Sequence, residues 1–277
     1  MAPDSYREFR QAVDRPEEQI DLGRAALTIA LTDYPDLDVA SYLARIDKLA
    51  LEVSKNLDSE GDIYRSIAAL NYVLFKQHGF HGNRNDYFDP KNSFLNEVIE
   101  RKTGIPVTLS VLYMEVAKRA GFTLDGVGFP GHFLVKCCGE AQEIVIDPFN
   151  GGEIKAREDI DRMVFNLQGG KIRFHRDLLA ASTKSDILKR MLANLKAIYI
   201  NANNLVKGLT VLDHLLILDP TSAEDARDRA LVYLNLECYT RAREDFETYL
   251  RLRPDAEDAG LVREQILRLV KEVTRIH

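Results

Sequence analysis

Apolar residues recur along this chain with two periods, and the change between them falls near Gly121. Before it the spacing is helical. Ile20, Leu22, Ala26, Leu27, Ala30 and Leu31 predict a helix from Pro16 to about Asp33. Proline comes early and Glu17-Glu18 lie at the positive end of the dipole. Asp36 or Asp38 opens a second helix through Val39, Tyr42, Ile46, Leu49 and Val53, and a third runs from Asp62 to Gln77. Residues 1–15 show no such period and read as loosely ordered. Residues 79–92, rich in glycine and asparagine, read as a loop. Ser93 is expected to cap a short helix ending at Arg101-Lys102. The helix predicted from Pro106 to Ala120 is apolar nearly all round, the mark of an element buried on every side.

After Gly121 the alternation is that of strands, over 124–129, 132–138 and 142–147. Gly139-Glu140 reads as a two-residue hairpin turn. That turn pairs Cys138 with Ala141, and the same register sets His132 opposite Asp147. Opposed side chains have Cβ atoms roughly 4.5–5.5 Å apart, so a histidine–carboxylate pair follows. A different loop length would move the register. Further on, Glu158 to Leu167 reads as a helix, Gly169-Gly170 as a turn and 172–174 as a short strand. The polar run Ser182-Thr183-Lys184-Ser185 is the expected domain boundary, giving domains 1–185 and 186–277. The first is then helical over 16–120 with an antiparallel sheet over about 124–174.

From Asp186 the chain is helical again and repeats itself. Pro220 and Pro254 stand 34 residues apart, as do Tyr199 and Tyr233, Gly208 and Ala242, Leu212 and Phe246, and Leu216 and Leu250. That is the period of the tetratricopeptide repeat, a pair of helices per unit. Residues 256–277 would add a helix that covers the end of the stack.

Composition narrows the function classes. A net charge of −6 gives no general attraction to nucleic acid or to an anionic membrane. No apolar run approaches the roughly 20 residues of a membrane span, and the first residues lack the pattern of a secretory leader. Three cysteines, two of them adjacent, do not suit a disulfide framework, so the expected location is the cytoplasm. No Cys/His spacing resembles a metal site, no cofactor motif is present, and His78 and His81 read as loop histidines.

Four runs carry a resemblance: Asn92-Ser93-Phe94-Leu95-Asn96, Gly104-Ile105-Pro106, Gly128-Phe129-Pro130-Gly131-His132-Phe133 and Ile146-Asp147-Pro148-Phe149-Asn150-Gly151-Gly152. With them the whole chain resembles the bacterial SirB-type family, which joins a transglutaminase-like domain to C-terminal tetratricopeptide repeats. The resemblance implies an α+β, papain-like first domain followed by an all-α arm. In the wider superfamily a cysteine opens a central helix, a histidine stands on a strand and an aspartate on the next. A helix N-terminus favours thiolate, and the carboxylate fixes the imidazole that exchanges protons with it. His132 and Asp147 match the last two places, and Pro106 stands where the cysteine should be.

No cysteine fills the gap. Cys138 lies about 20 Å along the strand from His132. Cys137 faces the other way, and Cys238 lies in the repeats. Thr108 and Ser110 follow on the same helix as candidate hydroxyl nucleophiles, and they also read as ordinary small residues of a buried helix. Two readings stay open. One is a non-catalytic protein, a pseudoenzyme that binds a protein or peptide partner through the repeat arm or the cleft. The other is a hydrolase or acyltransferase using His132 and Asp147 with Thr108, Ser110 or an activated water.

Overall fold

The computed structural model describes residues 3–57, 62–138, 143–167 and 174–276. The chain divides into two compact units, Met1–Met191 and Leu192–His277.

The first unit is built around one helix. Helices α1 (Pro3–Val13), α2 (Leu22–Ile29), α3 (Val39–Ser54), α4 (Ile63–Asn71) and α5 (Leu95–Arg101) precede it. The central helix is α6 (Pro106–Arg119), in which every residue from Pro106 to Ala117 is buried. Helices α2, α3 and α5 pack on it, and so does the sheet that follows. The all-round apolar sequence of α6 therefore has the buried setting its pattern requires.

Local chemistry sets the helix starts. Asp21, Asp38 and Asp62 each accept a backbone N–H, from Arg24, Ser41 and Tyr64, and so cap α2, α3 and α4. The first helix of the sequence reading consequently begins at Leu22, with only a 3-10 turn over Glu17–Gln19. Residues 3–13, expected to be loose, form α1, whose fully buried Phe9 anchors it. Phe9 and the small Ala12 make too short a buried pattern to show a period. Ser93 does not cap α5: it ends a 3-10 turn, Pro90–Ser93, which Asp89 caps instead, and Phe94 holds the N-cap position.

The sheet is a four-stranded antiparallel meander, β3 (Asp125–Val127), β4 (Leu134–Cys138), β5 (Glu143–Asp147) and β6 (Glu153–Lys155). A short parallel pair, β1 (His81–Gly82) with β2 (Thr103–Gly104), stands apart from it. Helix α7 (Arg157–Leu167) follows β6, and Ile160 and Val164 pack with Val127, Phe129, Leu134 and Val145.

The β4–β5 register corrects the expected hairpin. Cys138 pairs with Glu143 and Val135 with Ile146, so four residues, not two, separate the strands. The expected Gly139-Glu140 turn lies outside the described residues, as do Ala141, the Gly169-Gly170 turn and residues 172–173. The true register differs by two positions, and an even slip leaves every side chain on its own face. The hydrophobic pattern is identical in both registers and could not choose between them. His132 is also not a strand residue: it ends the turn before β4, where its N–H donates to the Phe129 carbonyl at 3.0 Å.

In the second unit α9 (Leu205–Leu218), α10 (Ala223–Asn235), α11 (Tyr239–Leu252) and α12 (Ala259–Ile276) follow α8 (Lys184–Asn201), which runs across the division. Both ends of α9 and α11 are offset by the expected 34 residues. Tyr233, Phe246 and Tyr249 fill the core, and Ala230 and Ala242, both fully buried, let the helices approach. Arg229 bridges Asp213 and Asp245 between helices, and Lys196 reaches Asp225 at 2.7 Å. Among the described residues no helix is long and apolar enough to cross a membrane.

One glycine bears on the site below. Gly152 has φ +75°, and a Cβ there would fall 1.8 Å from Asn71 Oδ1. Gly152→Ala is expected to destabilise the protein by at least about 2 kcal/mol, from backbone strain plus overlap. A urea unfolding curve with an unchanged midpoint would contradict this.

Candidate functional site

Three local structures bring the site together. His132 is set by the Pro130-Gly131 turn, with Gly131 at φ +70°. Asp147 ends β5 and caps the 3-10 turn Pro148–Asn150, with proline in its first turn. Gly151 and Gly152, both at positive φ, then carry the chain back into β6.

His132 Nε2 lies 3.0 Å from Asp147 Oδ1. The pair is diagonal across the β4–β5 corner, because Leu134 rather than His132 comes into register with Asp147. Diagonal neighbours remain within reach of a long side chain. The Asp147 carboxylate is 1% exposed and accepts further bonds from Asn150 N at 3.2 Å and Asn150 Nδ2 at 2.6 Å. Lys155 Nζ stands 3.6 Å from its other oxygen. Burial pushes the Asp147 pKa up, but the His132 bond and charge, the Asn150 amide and the Lys155 charge outweigh it and hold the carboxyl below its ordinary range.

The carboxylate engages His132 through Nε2, so an uncharged ring carries its proton there and presents the Nδ1 lone pair. Among the described residues Nδ1 has no hydrogen-bond partner. The imidazole meets the edge of Phe149 at 5.8 Å, and the Arg84 guanidinium lies over that ring at 5.4 Å while bonding Asn150 Oδ1. Asn71 supports the far side of the corner. Its Nδ2 donates to the Gly152 carbonyl at 2.8 Å, and its Oδ1 accepts from the Tyr113 hydroxyl at 2.9 Å.

At the start of α6 the picture differs. Pro106 is buried at the first helical position, where its missing N–H is no loss. The Thr108 hydroxyl is fully buried: it donates to the Asn92 carbonyl at 2.7 Å and accepts the Ile105 N–H at 3.2 Å. It is a capping group. Ser110 is also fully buried, and its Oγ has no protein hydrogen-bond partner among the described residues. Cys137 is buried in β4, and Cys238 is exposed in the second unit. The structure thus brings His132 and Asp147 together and gives neither Thr108 nor Ser110 a hydrogen bond to them.

Residues 40–193 match the transglutaminase-like superfamily and residues 195–267 the tetratricopeptide repeat. A UPF0162 protein of Xylella fastidiosa is 37% identical over 264 residues, 94% of each chain. The chain belongs to that family. A UPF0162 protein of Vibrio cholerae is 26% identical over 254 residues, covering 91% of this chain and 94% of its own. The likeness reaches beyond bacteria in part: F-box only protein 21 of Mus musculus is 44% identical over 82 residues, 30% of this chain and 13% of that protein. The SirB-type resemblance, the transglutaminase-like first domain and the repeat arm are borne out. Within this UPF0162 protein, sequence reasoning missed Asn150 as the clamp on Asp147. The signal was present, since Asp-Pro-x-Asn is the pattern of a capped turn. Asn71 gave none, because its partner Gly152 is 81 residues away.

Two outcomes are expected. Thr108→Val, of nearly the same shape, should cost about 2 kcal/mol in urea unfolding, because a buried carbonyl and a buried N–H lose their partner; a wild-type midpoint would show the hydroxyl is not needed as a cap. A carboxyl whose folded pKa is depressed stabilises fully above its ordinary value of 3.8 and loses that contribution as pH falls through the folded value. Stability measured from pH 6 downward should therefore fall more steeply in the wild type than in Asp147→Asn, and parallel curves would contradict the assignment.

Proposed function

We propose that this UPF0162 protein is a non-catalytic interaction protein, in which a transglutaminase-like domain without a nucleophile is joined to a tetratricopeptide arm that holds a protein or peptide partner. The observation that carries the reading is the start of α6. Proline occupies the first position, and the nearest hydroxyl, Thr108, is buried and committed on both sides. Ser110 is sealed from solvent. The cysteines whose side chains are described do not help: Cys137 is buried, Cys238 belongs to the other unit, and both suit a reducing cytoplasm. In this reading the His132–Asp147 bond closes the corner between β4, β5 and β6. The arm supplies stacked helix pairs, an architecture whose surfaces serve protein binding.

A second reading, a hydrolase or acyltransferase, draws on one feature. A buried carboxylate orients an imidazole whose Nδ1 has no partner among the described residues, the arrangement of a general base. Because both hydroxyls are buried, this reading favours an activated water over Thr108 or Ser110 as the attacking group.

A labelling experiment tests the non-catalytic reading against a hydroxyl nucleophile, and the water form of the second reading is tested by turnover of activated esters and amides that His132→Ala would lose. A fluorophosphonate probe, followed by peptide mapping, is expected to leave Thr108 and Ser110 unmodified in the native protein. A covalent adduct on either residue, absent in His132→Ala, would overturn the non-catalytic reading.

A further inference from the structure

The loop over 83–92 carries a row of rings out from the His132 site. Phe149 meets His132, Tyr87 meets Phe149 edge-on at 6.4 Å, and Phe88 meets Tyr87 at 5.4 Å. The row begins at the His132–Asp147 hydrogen bond and ends on Phe88, which is 74% exposed. The loop holds this arrangement with its own bonds. Asn92 Nδ2 donates to the Asp86 carbonyl at 2.7 Å, Asn83 Oδ1 accepts the Asp86 N–H at 3.0 Å, and Asn83 Nδ2 donates to Asn92 Oδ1 at 3.1 Å. Asp89 caps Lys91 and pairs with Arg101 at 2.9 Å. Gly82, at the loop's start, passes so close to Phe149 that a Cβ would fall 2.6 Å from the ring. An exposed phenylalanine on a tied loop is presented, not merely left over, and a preorganised surface loses little freedom on binding.

One cation flanks the row. Arg84 stacks on Phe149 and spends one N–H on Asn150, leaving the rest of its five donors. Among the described residues Arg84 has no carboxylate at ion-pair distance, although the chain holds 43 acidic residues against 37 basic ones. The loop's own Asp89 is occupied by Arg101, so Asp86 is the one acidic side chain of 83–92 that no cation holds among the described residues.

We propose that the row from His132 to Phe88, flanked by Arg84, is a recognition surface for an acidic peptide segment of a partner protein that lays an aromatic side chain on Phe88. This rests on the binding reading above and supplies the chemistry of the partner. The argument is charge complementarity joined to an aromatic anchor. A guanidinium fork takes a carboxylate through two parallel bonds. An exposed pair of that kind is weak in water, and a ring seated on Phe88 and Tyr87 excludes water beside it. Tyrosine, arginine and phenylalanine are the residue types that anchor interfaces.

The test uses the full-length protein and three fluorescein-labelled peptides, Asp-Glu-Phe-Glu-Asp, Asp-Glu-Gly-Glu-Asp and Lys-Arg-Phe-Arg-Lys, read by fluorescence anisotropy. The acidic phenylalanine peptide is expected to bind at least tenfold more tightly than either of the others, and its affinity should fall as salt is raised. Arg84→Glu and Phe88→Ser should each weaken it tenfold or more. Both side chains are exposed, so circular dichroism should be unchanged. Equal binding of the three peptides, no binding, or wild-type affinity in Arg84→Glu would overturn the proposal and leave the non-catalytic reading standing. Binding followed by cleavage of the peptide, lost in His132→Ala, would instead overturn the non-catalytic reading.

Discussion

A helix buried from its first residue must satisfy its leading N–H groups without water, and that constraint shapes the first unit. Helix α6 meets part of it with two residues. Pro106 removes one donor, and the Thr108 hydroxyl takes the Ile105 N–H while donating to the Asn92 carbonyl. The second bond ties the loop over 83–92 to the centre of the unit. The short parallel pair His81–Gly82 with Thr103–Gly104 then joins the loop's start to the residues just before α6. On the proposed non-catalytic reading, the solution that seals the helix also stands where a thiol enzyme of this superfamily would keep its nucleophile.

The opposite wall keeps more of an enzyme's geometry. Asp147 is buried, held anionic by His132, Asn150 and Lys155, and so orients one imidazole nitrogen, while the other has no partner among the described residues. Such a corner is also a sound way to end a strand. Asp147 caps the turn that follows it, and Asn71 and Gly152 fit together closely enough to hold the return into β6. The geometry serves folding whether or not it serves chemistry, which is why the start of α6 and not the His132–Asp147 pair decides the functional reading.

Much of this was legible in the sequence, and the failures have physical causes. The 34-residue period returns as the offset between α9 and α11 because each must present its small and bulky positions to the same neighbours. The burial of α6 was legible in its lack of a polar face. The His132–Asp147 pair was reached through a wrong register. A slip of two residues preserves the faces, and the corner is tight enough for a diagonal pair to bond. Helix α1 was missed because Phe9 and the small Ala12 make too short a buried pattern, and the role of Thr108 because its acceptor is 16 residues away. Bonds between segments distant in sequence leave no local pattern.

The central claim is that the start of α6 holds no nucleophile and the protein turns nothing over. The most direct measurement is the hydrolysis of a panel of activated esters and glutamine-type amides by the native protein beside His132→Ala, both at concentrations that reveal multiple turnovers. The account predicts the same background rate for the two. Multiple turnover by the native protein, lost in His132→Ala while the variant remains folded, would contradict it.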